Sequence, residues 1–288
     1  MKVLVTGGGG FVGAPTVHSL RALGHDVASH PHAMFNILDS YDRAQLIKKS
    51  QADVLVHLAW QTTHGHFWTA PDNAAWRDAS NDLLTRFFDA GGKRAVMAGS
   101  CAEYDWTAQA DPLPETAPCT PATFYGRCKL DTLRHAEQMM QAGASIAWGR
   151  LFFLMGPNET ATRFIPSIIR PLLAGDTARM GPGTGLRDFL HTADAGAAFA
   201  ALAGSAATGA INIASGTSLS LAEVALQTKS LIATGTLSIG ALPARAGEPH
   251  ALVADVTRLR DEVGFKPRHT LISALEDCID YWRRQVDR

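Results

Sequence analysis

An apolar strand that runs straight into a cluster of glycines leaves few architectures open. Residues 2–6 read KVLVT, and Thr6 begins TGGGGFVG, after which an amphipathic stretch extends to Leu23. Gly7, Gly10 and Gly13 have the spacing G-x-x-G-x-x-G. A strand that must turn tightly, bring its backbone against a pyrophosphate and aim a helix N-terminus at it needs residues without a Cβ at those places. Such spacing says little by itself. In a strand–turn–helix context it predicts the phosphate loop of a dinucleotide-binding unit. Gly7, Gly10, Phe11, Val12 and Gly13 are its candidate cofactor contacts.

The first half of the chain repeats the alternation. Strands are expected at 25–30, 53–59 (DVLVHLA), 94–100 (RAVMAGS) and 145–153, with helices at 12–23, 41–50, 72–90 and 124–141. Repeated strand–helix units argue for a parallel sheet, and strands covered on both faces read as unbroken apolar runs, as these do. Leu58 and Ala59, at the end of the third strand, join the cofactor candidates. The second half is less regular: a helix at 163–173, a GPGTG turn at 181–185, an Ala-rich helix to about 203, a strand at 209–214 and later helices. The expected fold is α/β, a Rossmann-type doubly wound parallel sheet with a smaller α/β C-terminal substrate domain. Residues 1–155 form the dinucleotide-binding domain, to which 187–214 return, and 156–288 the substrate-binding domain.

Composition excludes several classes. The chain has 288 residues, 18% charged, with a formal net charge of −1, so no strong field draws nucleic acid or an anionic membrane. No run of about 18 apolar residues predicts a membrane span, and MKVLVTGGGG has no signal-peptide core. Four scattered cysteines form no C-x-x-C pair, which fits free thiols in a reducing, cytoplasmic setting. His64 and His66 lack a third ligand nearby, so no metal is expected.

The adenosine end has an unusual signature. An acid at the end of the second strand would bind the ribose hydroxyls of NAD. Ser29-His30-Pro31-His32 stands there instead, and no arginine replaces the acid. Two histidines and a serine suit a 2′-phosphate, so the expectation favours NADP over NAD, with His30 as a contact. Asp39, in NILD, is either a partner for the adenine amine or a helix N-cap.

Phe124-Tyr125-Gly126-Arg127-Cys128-Lys129 opens the helix after the fourth strand. Tyrosine and lysine at i and i+4 share a helical face. A free phenol, with a pKa of about 10, is a poor acid–base group at neutral pH, and a nearby ammonium favours its ionised form. That pair suits proton transfer at a carbinol oxygen during hydride transfer.

TGGGGFVG, Ser100, Tyr125 and Lys129 together resemble the short-chain dehydrogenase/reductase superfamily. The length and the C-terminal half look like its extended branch, which includes nucleotide-sugar epimerases, dehydratases and 4-ketoreductases. Asn81 matches that branch's helix asparagine, RLFFLMGP (150–157) its strand into the substrate domain, GTGLRDFLHTAD (183–194) its G-x-G-x-x-R-D-F/Y-x-H-x-x-D stretch, and RAGEPHALVAD (245–255) its R-x-G-D…A-D stretch, with Glu248 for the usual Asp. The resemblance implies that Tyr125 is the general acid/base, that Lys129 holds the nicotinamide ribose and tunes Tyr125, and that Ser100 orients the reacting oxygen. It implies diphosphate contacts for Arg187 and Arg245, which a guanidinium fork suits, with Arg163 a further phosphate candidate. It also implies a homodimer through the helices at 72–90 and 124–141.

Departures from the branch narrow the reaction. Phe153 replaces a frequent asparagine and Trp60 a small residue, which makes the pocket more apolar and fits a deoxysugar or an atypical substrate. A 4,6-dehydratase carries Asp-Glu directly after its Ser/Thr, but Cys101-Ala102 follow Ser100, and alanine moves no proton. A 4-ketoreductase of a nucleotide sugar is the expected activity, a 4-epimerase with tightly held NAD the alternative, and a dinucleotide-binding regulator a third reading. Cys101 and Glu103 lie beside Ser100 without a base partner, and Glu103 has no assigned role.

Overall fold

The computed structural model describes residues 1–107, 112–244 and 247–286. The first half runs β1 (Lys2–Thr6), α1 (Gly13–Ala22), β2 (Asp26–Ser29), α2 (Ser40–Ser50), β3 (Val54–His57), α3 (Asn73–Asp89), β4 (Arg94–Ser100), a 3₁₀ turn at Cys101–Glu103, α4 (Phe124–Gln141) and β5 (Ile146–Leu151). The second runs β6 (Phe153–Met155), α5 (Phe164–Leu173), β7 (Thr177–Arg179), β8 (Leu186–Arg187), β9 (Phe189–His191), α6 (Thr192–Gly204) and β10 (Gly209–Ile213). It ends with β11 (Leu219–Ser220), α7 (Leu221–Leu231), β12 (Thr236–Ser238), β13 (Ala251–Leu252), α8 (Thr257–Asp261) and α9 (Leu271–Val286).

Six strands form one parallel sheet in the order β2-β1-β3-β4-β5-β10. The strand period of two sorts each apolar run onto both faces. Val3, Val5, Val54, Val56 and Val96 pack with Leu20 of α1 and Phe199 and Leu202 of α6. Leu4, Leu55, Ala95 and Met97 pack with Leu46 of α2, Leu83 and Phe87 of α3, and Leu133 of α4. Two covered faces are what make the centres of these strands apolar on both sides. A Rossmann-like doubly wound sheet results. A third core gathers Ile165, Ile169 and Leu172 of α5, Val224 of α7, and Leu275, Ile279 and Trp282 of α9 beside the sheet.

The strand order reverses between β1 and β3, so their carboxyl ends open a crevice, the usual ligand position in such a sheet. A Cβ on Gly7 would meet Ala59 N at 2.7 Å, which puts the glycine loop after β1 directly against the end of β3. Among the described residues no helix is long and apolar enough to cross a membrane.

Candidate active site

The glycine loop is built by close approaches. Gly7 has φ +72°, and its carbonyl accepts from Gly10 N at 3.0 Å. A Cβ on Gly13 would lie 1.9 Å from Gly7 O, and one on Gly8 would lie 2.0 Å from Ser29 Oγ. α1 then starts with no side-chain cap and no acid in its first turn. The positive end of its dipole therefore has no protein anion beside it, a setting that fits a pyrophosphate, although Ala14 N and Thr16 N already donate to Gly10 O and Val12 O and Pro15 has no N–H. Phe11 and Val12 complete the loop, and Leu58 and Ala59 face it from β3.

At the adenosine end, Ser29 closes β2 against Gly8, and half-buried His30 sits edge-on to Phe35 with centroids 5.3 Å apart. Asp39 is the N-cap of α2: its Oδ1 accepts from Asp42 N at 2.9 Å, so the capping alternative describes its place.

Ser100, Tyr125 and Lys129 meet at the end of β4. Thr123 caps α4 by accepting from Gly126 N at 3.0 Å. Gly126 lies so close to the 3₁₀ turn that a Cβ there would sit 2.2 Å from Ala102 O. This docking sets Tyr125 beside Ser100, whose hydroxyl is near enough to favour the ionised phenol. One turn on, Lys129 Nζ donates to Ala98 O, on the same strand as Ser100, at 2.9 Å. Burial raises the phenol above its ordinary range, and the Ser100 hydroxyl opposes that. Burial also pushes the Lys129 ammonium down to about 7, against the pull of Glu103.

Two groups near this set carry roles that the amino-acid sequence leaves hidden. Glu103 is 0% exposed. It accepts from Ser100 N at 2.7 Å, from Arg150 Nε at 2.7 Å and from Trp148 Nε1 at 3.1 Å. Its charge is thus committed to pinning the strand end that carries Ser100, and it is not a nucleophile. Cys101, pushed up to about 12 chiefly by burial, is an inert thiol at neutral pH. The second group, His57, lies at the end of β3 with Nδ1 2.6 Å from Thr6 Oγ1 and Nε2 2.8 Å from Ser80 Oγ. Ser80 Oγ donates to Trp76 O at 2.7 Å, so it receives the Nε2 proton and Thr6 donates to Nδ1. A polar residue ending an apolar strand was the available signal for His57; for Glu103 the S-x-x-E spacing from Ser100 signalled a capping box, while its partners 45 and 47 residues away gave no local signal.

Aromatic rings enclose Tyr125. Trp60, Phe67 and Trp68 lie edge-on to it with centroids at 6.1, 4.9 and 5.9 Å, and Trp68 meets Trp106 at 5.8 Å. Tyr125 N donates to Trp68 O at 3.1 Å, so the segment containing His64 and His66 folds over the tyrosine as a lid.

The arginines are placed unequally. Arg163 stands at the N-terminus of α5, and its charge acts on both Tyr125 and Glu159. Arg187 is 1% exposed, reaches Glu248 at 3.0 Å and Leu186 O at 2.8 Å, and lies over the Phe153 ring at 5.3 Å. Glu248, the substituted acid, thereby neutralises it in this structure. Arg245 lies outside the described residues. Away from the crevice, ligand atoms of His191, His269 and Asp277 lie within 4.8 Å of one another. His191 Nδ1 accepts from Ala193 N at 3.3 Å, which keeps the proton of the neutral ring on Nε2, the atom a metal would need. With His269 bonded to Asp194 at 2.9 Å, this group acts as a cap and ion pair holding α6 to residues 268–269.

Residues 3–214 match the model of the NAD dependent epimerase/dehydratase family. UDP-glucose 4-epimerase from Corynebacterium glutamicum is 28% identical over 100% of this chain and 98% of its own. dTDP-6-deoxy-L-talose 4-dehydrogenase (NAD(P)(+)) from Kitasatospora kifunensis is 26% identical over 96% of this chain and 94% of its own. The structure of MoeE5 in complex with UDP-glucuronic acid and NAD superimposes with a TM-score of 0.86 at 28% identity, covering 99% of this chain and 100% of MoeE5.

Proposed function

The chain belongs to the NAD dependent epimerase/dehydratase family, and from that premise we propose that it transfers hydride between a nicotinamide dinucleotide and C4 of a nucleotide sugar, working as a 4-ketoreductase. The observation that carries the reading is the meeting of Ser100, Tyr125 and Lys129 at the end of β4, beside a glycine loop and an uncapped helix N-terminus. The residues of that crevice fit a dinucleotide: four glycines leave the backbone bare, and α1 begins there with neither an acid in its first turn nor a side-chain cap. Gly7, Gly10, Phe11, Val12 and Gly13 would hold the pyrophosphate, and Lys129 the nicotinamide ribose. When bound, the dinucleotide supplies or accepts the hydride. Tyr125 gives its proton to the carbonyl oxygen, Ser100 holds that oxygen in line, and the Lys129 ammonium stabilises the phenolate left behind. Arg163, Arg187 and Arg245 take the sugar's diphosphate. The missing acid after β2 supports NADP over NAD, with His30 facing the 2′-phosphate. Residues 1–155 with 187–214 serve the dinucleotide, and 156–288 the sugar.

Both curated relatives carry position 4 in their names. The packing of Trp60, Phe67 and Trp68 around Tyr125 favours delivery of hydride to one face. An epimerase must turn its keto intermediate over between two transfers, a motion that aromatic rings packed around Tyr125 would hinder. The full-length likeness to UDP-glucose 4-epimerases supports the epimerase as the second reading. Water elimination is not supported, since Glu103 is committed, Cys101 is inert and Ala102 moves no proton. The test is Tyr125→Phe. Turnover of a nucleotide-4-ketosugar with NADPH should fall about 10²- to 10⁴-fold, while NADPH binding by fluorescence stays within a few fold. Near-normal turnover in that variant would end the proposal. NAD retained through purification, with interconversion of UDP-glucose and UDP-galactose and no added cofactor, would establish the epimerase instead.

A further inference from the structure

Trp60 follows Leu58-Ala59 at the crevice end of β3. Its indole face lies 3.7 Å from Lys129 Nζ, and its ring meets Tyr125 edge-on at 6.1 Å and 84°. The ring is held from behind. Nε1 donates to Asn73 Oδ1 at 2.8 Å, and Trp76 stacks on it with centroids 6.4 Å apart. Asn73 is itself fixed, its Nδ2 donating to Phe67 O at 2.7 Å and to Ala70 O at 2.9 Å. The lid thus clamps one indole in one orientation over one ammonium.

Lys129 needs such a partner. It is 4% exposed, and among the described residues its hydrogen-bond acceptor is Ala98 O. Burial with a single acceptor drives an ammonium toward the neutral amine. The face of an indole attracts a cation, more strongly when both are desolvated. It carries no net charge, so it supports the ammonium without neutralising it as a carboxylate would. Among the charged groups nearby in the described residues, Glu103 alone pulls the same way, and its charge is shared with Arg150. His57, on β3, is neutral and hydrogen-bonded to Thr6 and Ser80. Glu103, on the turn after β4, is paired with Arg150, and Cys101 beside it keeps its proton. Arg163, from α5, acts on Tyr125.

We propose that Trp60 is a positioning residue, whose indole holds Lys129 charged and aimed at Tyr125 and so sets the acidity of the phenol that transfers the proton. The proposal rests on the acid–base role of Tyr125 given above. It assigns a purpose to a bulky residue at a place where the extended branch often has a small one.

Two readouts test it. The first needs no turnover. With ¹³C-labelled lysine, the ε-methylene signal of Lys129, one of seven lysines, should lie upfield of the others because it sits over the indole. In Trp60→Leu that displacement should vanish, and the titration midpoint of Lys129 should fall by about one pH unit. The second is the pH profile of sugar oxidation, where the limb set by Tyr125 should rise by about one pH unit in the same variant. Fluorinated tryptophans introduced at position 60 alone keep the shape and weaken the π face. They should give graded shifts of both readouts in step with fluorine number, which a purely structural role would not produce. An unmoved Lys129 titration, or an unmoved phenol limb across that series, overturns the proposal. A wild-type chain without turnover would overturn the hydride reading instead, and the lysine titration would still decide whether Trp60 holds Lys129.

Discussion

His57 has both ring nitrogens in hydrogen bonds and Lys129 close by. Burial, then the charge of Lys129, pushes its pKa down to about 3. Its unfolded value is near 6.5, so between those values the unfolded chain binds the extra proton and the folded chain does not. Stability therefore rises with pH across that window and drains as pH falls from 6.5 toward 3, by a few kcal/mol from this group alone. NMR of the imidazole should show a neutral, Nε2-protonated ring with flat shifts from pH 8 to 5, and a midpoint near 6.5 would contradict the network. Residues whose chemistry depends on near neighbours were readable from the amino-acid sequence: Tyr125 and Lys129 share a helical face by spacing. Glu103 was readable only as the S-x-x-E capping partner of Ser100, because Trp148 and Arg150 come from the neighbouring strand β5, far away in the chain. Removing one side of such a buried pair costs about 3–5 kcal/mol, so Glu103 matters to the site through the fold.

At the level of elements, the contact between α4 and the turn after β4 decides whether Tyr125 reaches Ser100. Gly126 has an ordinary helical conformation, yet a Cβ there would sit 2.2 Å from the backbone carbonyl of Ala102. Gly126→Ala should push the first turn of α4 away, costing about 1–3 kcal/mol of stability. Turnover should fall further than dinucleotide binding, because the glycine loop is untouched. Thermal unfolding with parallel kinetics and NADPH titration checks this, and equal losses in turnover and binding would contradict it. The long parallel elements were legible because buried strands and amphipathic helices impose long apolar patterns. β8, β11 and β13 have two residues each, too short to show a period, and they exist through pairing with one another.

For the whole molecule, the crevice is made by strand order, a property no single segment carries. The glycine loop announced it, and β10 completes the sheet from more than fifty residues after β5. The distribution of aromatic rings over Tyr125 was visible as a composition bias at 60–76, but its closure over the tyrosine depends on Trp68 O meeting Tyr125 N. α3 and α4 lie side by side, joined by Thr85 with His135 at 3.0 Å and Arg77 with Asp131 at 3.8 Å. We propose that this pair meets its own copy across a twofold axis. Light scattering should then give about twice the 30.7 kDa of one chain, and a monomer at micromolar concentration would contradict it.

The central claim is hydride transfer at a sugar carbon, and isotope transfer tests it most directly. A nucleotide-4-ketosugar should be incubated with NADPH carrying deuterium at the transferred position of C4, and the product examined by NMR. The account predicts one deuterium at sugar C4 for each cofactor oxidised, and almost none formed by Tyr125→Phe. Cofactor that binds but delivers no deuterium to the sugar would contradict it.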